Sequence, residues 1–398
     1  MIDIRTIDQL DVADKRVFYR VDYNVPFDGG EVSDATRIEA TLPTIFLLRE
    51  RGARVVLASH LGRPKGQRNE KYSLAPVRRK LEEISGIDVA WADDCIGEQV
   101  RAQVDSLQNG QLLLLENLRF HEGEESNDPA FASELAALAD IYVNDAFGAC
   151  HRAHASIVGV PERLGSDRSA AGLLIARELE FLQKVTVVSD DARPFVAILG
   201  GAKIKGKIEP LQAMTRIADK VLIGGGMANT FLAAKGLSLG GSLVDEESID
   251  VARTILSAGE RAEILLPRDL VLTGSIETPS NVRSVTVGDF IGDSEMAVDI
   301  GSKSVDEYIA CIEAARTIFW NGPMGVFEKD EFAGGTRAIA VAVSGSNAVS
   351  IVGGGESVEA VNQSGRAGGI SHISTGGGAS LEFVSGQSLP GIEVLTVK

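Results

Sequence analysis

The sequence predicts an α/β protein of two domains, each built on a doubly wound parallel sheet, with a long helix joining them. Three observations predict it. The chain has 398 residues, about two domains at roughly 150 residues each. Short β-branched or aliphatic runs alternate throughout with helical patterns, as in right-handed βαβ units whose helices cover both faces of a parallel sheet. Near the middle, Ser169 to Val185 reads as one continuous helix, apolar at Leu173, Leu174, Leu179, Phe181 and Leu182. The expected boundaries are 1–168, a connecting helix at 169–186, and 187–384, with a short segment at 385–398 that packs back onto other structure.

The strand candidates are Arg16 to Val21, Arg54 to Ala58, Leu112 to Leu115 and Ile141 to Val143, then Phe195 to Leu199, Val221 to Ile223, Thr317 to Trp320 and Val349 to Val352. Ligands of such sheets bind beyond the carboxyl ends of the strands, and polar motifs fall there. Asp22-Tyr23-Asn24-Val25-Pro26 and Ser59-His60-Leu61-Gly62-Arg63-Pro64 follow the first two strands. Glu116 to Phe120, Asn144 to Gly148, Gly200 to Lys203, Asn321 to Gly325 and the Gly353 run follow later ones. All three Gly-Gly-Gly runs, starting at Gly224, Gly353 and Gly376, lie in the second half.

Composition excludes several classes. A net charge of −17, from 39 basic and 56 acidic residues, argues against nucleic-acid binding, which needs a basic face to displace counterions. Arginine outnumbers lysine 26 to 13, and an acidic, lysine-poor surface suggests adaptation to high salt. No apolar run reaches the roughly 18 residues of a membrane span. The start, Met1-Ile2-Asp3-Ile4-Arg5, lacks the basic and apolar regions of a secretory signal, so a soluble cytoplasmic protein is expected. Cys95, Cys150 and Cys311 have no paired spacing, so neither disulfides nor a zinc site is expected.

In so acidic a chain, clustered cations imply anion pockets. Gly201 to Ile208 nearly matches a P-loop, but Ile208 stands where the Mg²⁺-binding hydroxyl belongs, which argues against one. Lys203 and Lys207 are spaced four apart, to share one face of a helix. Ser374 to Glu382 offers glycine N–H groups and then a helix start, a cradle for a transferring phosphoryl group. In the first half, Arg37 is expected in the first turn of a helix capped by Asp34 and buried through Ile38, Leu42, Ile45 and Leu48. His60, Arg63, Arg119, His151 and Arg152 sit in or near loops after strands, which suggests a small, highly anionic ligand. His151-Arg152-Ala153-His154 has no third zinc ligand at a plausible spacing. No Ser-His-Asp set is apparent, and a carboxylate or phosphate attacking phosphorus needs no general base.

At these residues the chain closely resembles the phosphoglycerate kinase family. The resemblance is carried by Arg20-Val21-Asp22-Tyr23-Asn24-Val25-Pro26, Ser59 to Pro64, Asn144 to Gly148, Ile198 to Lys203, Trp320-Asn321-Gly322-Pro323 and Ser374 to Ser380. It implies two Rossmann-like domains, the C-terminal segment returning to the N-terminal one. It implies a monomer that transfers the acyl phosphate of 1,3-bisphosphoglycerate to Mg-ADP, giving 3-phosphoglycerate and Mg-ATP after hinge closure. By the same resemblance, Asp22, Tyr23, Asn24, Arg37, His60, Leu61, Gly62, Arg63, Arg119 and Arg152 would bind the glycerate substrate. Gly201, Ala202, Lys203, Lys207, Asn321, Glu328, Gly353, Gly354, Gly355, Glu356 and Ser357 would bind the nucleotide, with Glu328 toward the ribose. Arg37, Lys207 and the N–H groups of Gly376, Gly377 and Gly378 would spread the transition-state charge.

Two positions depart from the family pattern. Glu356-Ser357 replaces Asp-Thr, whose acid is associated with the nucleotide's Mg²⁺, and Lys205-Gly206 replaces a small residue and Asp, which should make the pocket more cationic. The alternative reading is a non-catalytic nucleotide sensor with the same fold, for which Lys207 and Gly376 to Gly378 would be superfluous. A dinucleotide-dependent dehydrogenase is argued against, since the chain lacks a Gly-x-Gly-x-x-Gly turn after the first strand and an acid about 20 residues on.

Overall fold

The computed structural model describes residues 2–397. They form two compact units: one runs to Glu180 and takes in the segment from Ser388, and the other is Phe181–Gln387.

The first unit holds a six-stranded sheet of β1 (Arg16–Arg20), β2 (Arg54–Ala58), β3 (Val89–Ala92), β4 (Leu112–Leu115), β5 (Ile141–Asn144) and β6 (Ser169–Ala171). The order is β3-β4-β2-β1-β5-β6, parallel throughout. Runs such as Leu112–Leu115 are buried at every position, because helices cover both faces of a parallel sheet. All the carboxyl ends therefore share one edge, with β1 central.

The second unit also has a six-stranded parallel sheet, in a different strand order, which starts with β7 (Phe195–Leu199), β8 (Lys220–Ile223) and β9 (Glu263–Leu265). An antiparallel sheet of β10 (Asp269–Thr273), β11 (Arg283–Thr286) and β12 (Met296–Ile300) comes next in the chain. The main sheet is completed by β13 (Thr317–Asn321), β14 (Val349–Gly353) and β15 (His372–Ile373). Its order is β9-β8-β7-β13-β14-β15, and the small sheet's is β11-β10-β12.

The connecting helix is shorter than the expected 169–186. Ser169–Ala171 is β6, paired with Tyr142–Asn144, and the helix runs Leu173–Thr186. Gly172 makes the break: a Cβ there would lie 2.1 Å from Asp145 Oδ2. That carboxylate accepts the N–H of Ile175 at 3.0 Å, and Thr44 Oγ1 accepts that of Leu173 at 3.0 Å, so both serve as the helix's caps. The buried stripe is Ile175, Leu179, Leu182 and Val185, at helical spacing. The helix expected around Arg37 is also divided, into Thr36–Glu39 and Leu42–Glu50. Its first turn is braced by Asp34 Oδ1, which accepts both the N–H and the hydroxyl of Thr36.

The C-terminal segment packs within the first unit. Its helix Pro390–Glu393 donates from Gly391 N to Cys150 O at 2.9 Å, and Leu395 O accepts from Arg5 N at 2.9 Å. The three cysteines are free and buried. Among the described residues, no helix is long and apolar enough to cross a membrane.

Candidate active site

In the first unit the loops after β1, β2 and β4 meet. Asn24 Oδ1 accepts the N–H of Gly62 at 2.9 Å, joining the first two loops. Gly62 O accepts from Arg119 Nη1 at 2.7 Å, joining the third. Gly62 must be glycine, since φ is +61° and a Cβ would meet the Tyr72 ring at 2.4 Å. Asp22 Oδ2 accepts from Arg37 Nη1 at 2.9 Å. Arg119 is buried, which lowers its proton affinity, and Glu125 at 3.3 Å partly restores it. Arg63 and Arg152 are exposed at the rim.

His60 is 6% exposed and burial drives its pKa well below the ordinary value, with Arg20, Arg119, His154 and Arg37 adding repulsion. It is therefore a neutral ring at pH 7. Two of the expected ligands are turned away. Tyr23 is wholly buried, its hydroxyl 2.9 Å from Thr41 Oγ1 and its N–H on Ser59 Oγ. Leu61 is 4% exposed, with both its peptide groups bonded to the Asn117 amide. These two shape the loops from beneath.

The second unit gathers the ends of β7, β8, β13, β14 and β15. Lys207 Nζ donates to Gly200 O at 2.9 Å. A Cβ on Gly322 would lie 2.9 Å from that nitrogen and one on Gly201 3.2 Å, so the ammonium rests against bare backbone of β7 and β13 loops. Burial lowers its proton affinity and Glu356 partly restores it. Lys203 is exposed, and the helix begins only at Ile208. The two lysines thus do not share a helical face. Gly206, at φ +85°, turns the chain between them.

The glycine runs divide into two kinds. Gly224 and Gly225 spend their N–H groups on Leu199 O and Met324 O. A Cβ on Gly226 would strike Ala202 O at 2.4 Å. This run lets helix Gly225–Ala234 pack close to the Gly201 loop, and it offers no phosphate cradle from these two groups. Gly355, Gly377 and Gly378 instead face space with nothing within 4 Å of a Cβ. Gly354 and Gly377 precede helices Gly355–Gln363 and Gly378–Val384, whose first N–H groups have no acceptor in their own helix. Gly376 N is already on Ser374 Oγ at 3.2 Å.

Beside these loops lies a cleft of about 380 Å³. Its walls are Gly201, Gly226 and Gly325 on one hand and Leu243, Ile276, Met296 and Val326 on another, with Glu328 and Glu356 also lining it. Flat backbone faces and apolar side chains suit a planar ring, and exposed acids suit polar groups attached to it. Asn321 and Ser357 act behind this surface. Asn321 Nδ2 donates to Gly353 O at 2.8 Å, and Ser357 Oγ accepts the Gly322 N–H.

The model of the phosphoglycerate kinase family matches residues 7–387. The phosphoglycerate kinase of Moorella thermoacetica is 51% identical over 395 residues, covering 99% of each chain. That of Acaryochloris marina is 50% identical over 398 residues, covering 98% of each. The solved structure of the enzyme from Coxiella burnetii, 37% identical, superposes with a TM-score of 0.87 over 98% of both chains. The chain belongs to the phosphoglycerate kinase family. It is a phosphotransferase acting on phosphoglycerate, and the family implies a nucleotide substrate.

Against the family pattern, the extra lysine does not make the pocket more cationic. Lys205 Nζ is 2.9 Å from Glu247 Oε2, and its N–H donates to Asp245 Oδ2 at 3.1 Å. Leu243, Ile276 and Met296 were invisible as cleft residues in the sequence because nothing in an apolar side chain marks it as a wall. Arg20 did carry a signal, a charge inside the apolar run Val17 to Val21.

Proposed function

We propose that the strand-end cluster of the first unit binds 3-phosphoglycerate or 1,3-bisphosphoglycerate, and that the cleft of the second binds ADP or ATP. The observation that carries this is Lys207, an ammonium held between two strand-end loops at a cleft walled by glycine backbone. In the first unit Arg63, Arg119 and Arg152 supply positive charge, while Asp22, Asn24 and neutral His60 supply directional hydrogen bonds. In the second, the apolar walls take the base, Glu328 the ribose, and Lys203 with the helix Gly355–Gln363 the phosphates.

Transfer toward ATP forms a bond from a β-phosphate oxygen of ADP to the acyl phosphorus and breaks the bond from that phosphorus to the carboxyl oxygen. The carboxylate leaves already ionised, so no proton is moved. Lys207, Arg37 and the N–H groups of Gly377 and Gly378 stabilise the charge on the phosphoryl oxygens. Ligands held by separate units react only when hinge closure brings them in line and excludes water. A Mg²⁺ ion bound with the nucleotide would be held by Glu356, and would neutralise phosphate charge. An exposed first-turn carboxylate suits it, since Mg²⁺ takes one or two carboxylates beside phosphate oxygens and water.

The protein is proposed to act as a cytoplasmic monomer with no nucleic-acid or membrane partner. A coupled assay with ATP and 3-phosphoglycerate, run on Arg119→Ala, tests the assignment of the first unit. The KM for 3-phosphoglycerate should rise about tenfold or more, as for a lost charge-assisted contact, while the KM for ATP stays put. An unchanged KM for 3-phosphoglycerate would refute it.

A further inference from the structure

Arg20 ends β1 and is 0% exposed. A buried guanidinium is tolerated only when its donors are satisfied and its charge is countered, and here both conditions are met. Nε donates to Ser156 Oγ at 2.7 Å, and Nη1 donates to Val21 O. The counter-charge is Glu124, 3.8 Å from Nη2 and also 0% exposed. Glu124 accepts the hydroxyl of Ser156 at 2.6 Å and its N–H at 2.9 Å. Glu124 and Ser156 therefore fix where the guanidinium points. Its remaining contact is Nη2 to His60 Nδ1, at 3.1 Å.

An arginine has donors and no acceptor. His60 Nδ1 must therefore offer its lone pair, and a neutral ring then carries its proton on Nε2. That nitrogen is 3.9 Å from Asp22 Oδ1, too far for a hydrogen bond, so its proton remains for a ligand. We infer that Arg20 is a positioning residue: held by Ser156 and Glu124, it locks His60 as the Nε2–H tautomer, which gives the glycerate substrate one fixed donor. This rests on the proposed placement of that substrate beside His60.

The groups facing the ring are Arg20 and Asp22 from β1 and its loop, Arg37 from helix Thr36–Glu39, Arg119 from the loop after β4, and His154. Cations predominate, so the ring stays neutral while the arginines bring the charge. Without Arg20 the two tautomers would exchange, and the Nδ1–H form would turn a lone pair toward an anion.

The test is long-range ¹H–¹⁵N correlation on the whole protein labelled with ¹⁵N-histidine, the His60 signals being assigned by their loss in His60→Asn. Wild type should show an unprotonated Nδ1 and a protonated Nε2 from pH 6 to 8. A proton on Nδ1, or titration of His60 within that range, overturns the inference. Arg20→Met should give averaged tautomers and a KM for 3-phosphoglycerate raised about three- to tenfold, with the KM for ATP unchanged. Should Arg20→Met not fold, Ser156→Ala, which frees one arm of the guanidinium, should shift both readouts in the same direction by less. If neither readout moves in a folded variant, the positioning role is refuted. If the tautomer is fixed but His60→Asn leaves the KM for 3-phosphoglycerate unchanged, the substrate placement fails and the lock itself stands.

Discussion

Both units rest on a six-stranded parallel sheet, yet their candidate sites are built from opposite materials. The first presents side chains: Asn24 and Arg119 meet on the peptide groups of Gly62, and His60 is held by buried Arg20, itself paired with Glu124. The second presents largely backbone and apolar walls, with the half-buried ammonium of Lys207 beside them. A small polyanion offers little surface and must be met by charge and direction, whereas a nucleoside offers a flat face and can be met by shape. Ligand binding should therefore break in different ways, in the first unit by loss of a side chain and in the second by gain of one, while turnover depends on Lys207.

The largest effect is expected at Lys207. Lys207→Ala should lower kcat by about two to three orders of magnitude, the usual loss for a group that stabilises transition-state charge. Calorimetric titration should find ADP affinity within about threefold of wild type. Next comes Gly226→Ala, whose Cβ would sit 2.4 Å from Ala202 O. Forcing that packing open should cost about 1–3 kcal/mol of stability, seen as a lowered midpoint in urea, and should weaken ADP binding while leaving 3-phosphoglycerate binding alone.

The pH dependence of stability should carry contributions of both signs. His154, buried against Arg119 and Arg20, has its pKa lowered to about 3, chiefly by burial. The unfolded chain then binds the proton more readily, so this residue costs stability as pH falls from about 6.5 toward 3. Asp299 lines the cleft of the second unit, and burial raises its pKa to about 7 although the N–H groups of Gly335 and Ile300 oppose the shift. Here the folded chain holds the proton longer, so stability falls as pH rises from about 4 to 7. Asp145, raised by burial to about 6, acts in the same direction. Denaturation of Asp299→Asn across that window should show a flatter slope than wild type, and an identical slope would refute the assignment. The smallest effect is expected at Lys205. It pairs with Glu247 at an exposed position, and exposed pairs contribute little. Lys205→Ala should leave the thermal midpoint and the KM for ATP unchanged within error.

How far the sequence went also differs between the units. The central strands and their end loops were legible in both, because buried parallel strands read as unbroken apolar runs and polar motifs follow them directly, whereas β3, β6, β9 and β15 toward the sheet edges and the antiparallel sheet were not among the strand candidates. Asp22, Asn24, His60 and Arg119 announced themselves as polar groups in those motifs. Gly172 was read as part of a helix, since the contact that makes it a break is with Asp145, far away in sequence. The Gly224 run could not be told from the other two in the sequence, because glycine permits both close packing and ligand approach, and only the partners of its N–H groups separate the two. Lys203 and Lys207 looked like helical neighbours because spacing alone does not show where a helix starts.

The most direct test of this division of recognition is the set of kcat, KM for ATP and KM for 3-phosphoglycerate measured in one coupled assay for Arg119→Ala, Gly226→Ala and Lys207→Ala. Each variant should move mainly one quantity: the KM for 3-phosphoglycerate, the KM for ATP, and kcat, respectively. Undiminished kcat in Lys207→Ala, or a fall in kcat that only tracks lost ADP binding, would contradict it.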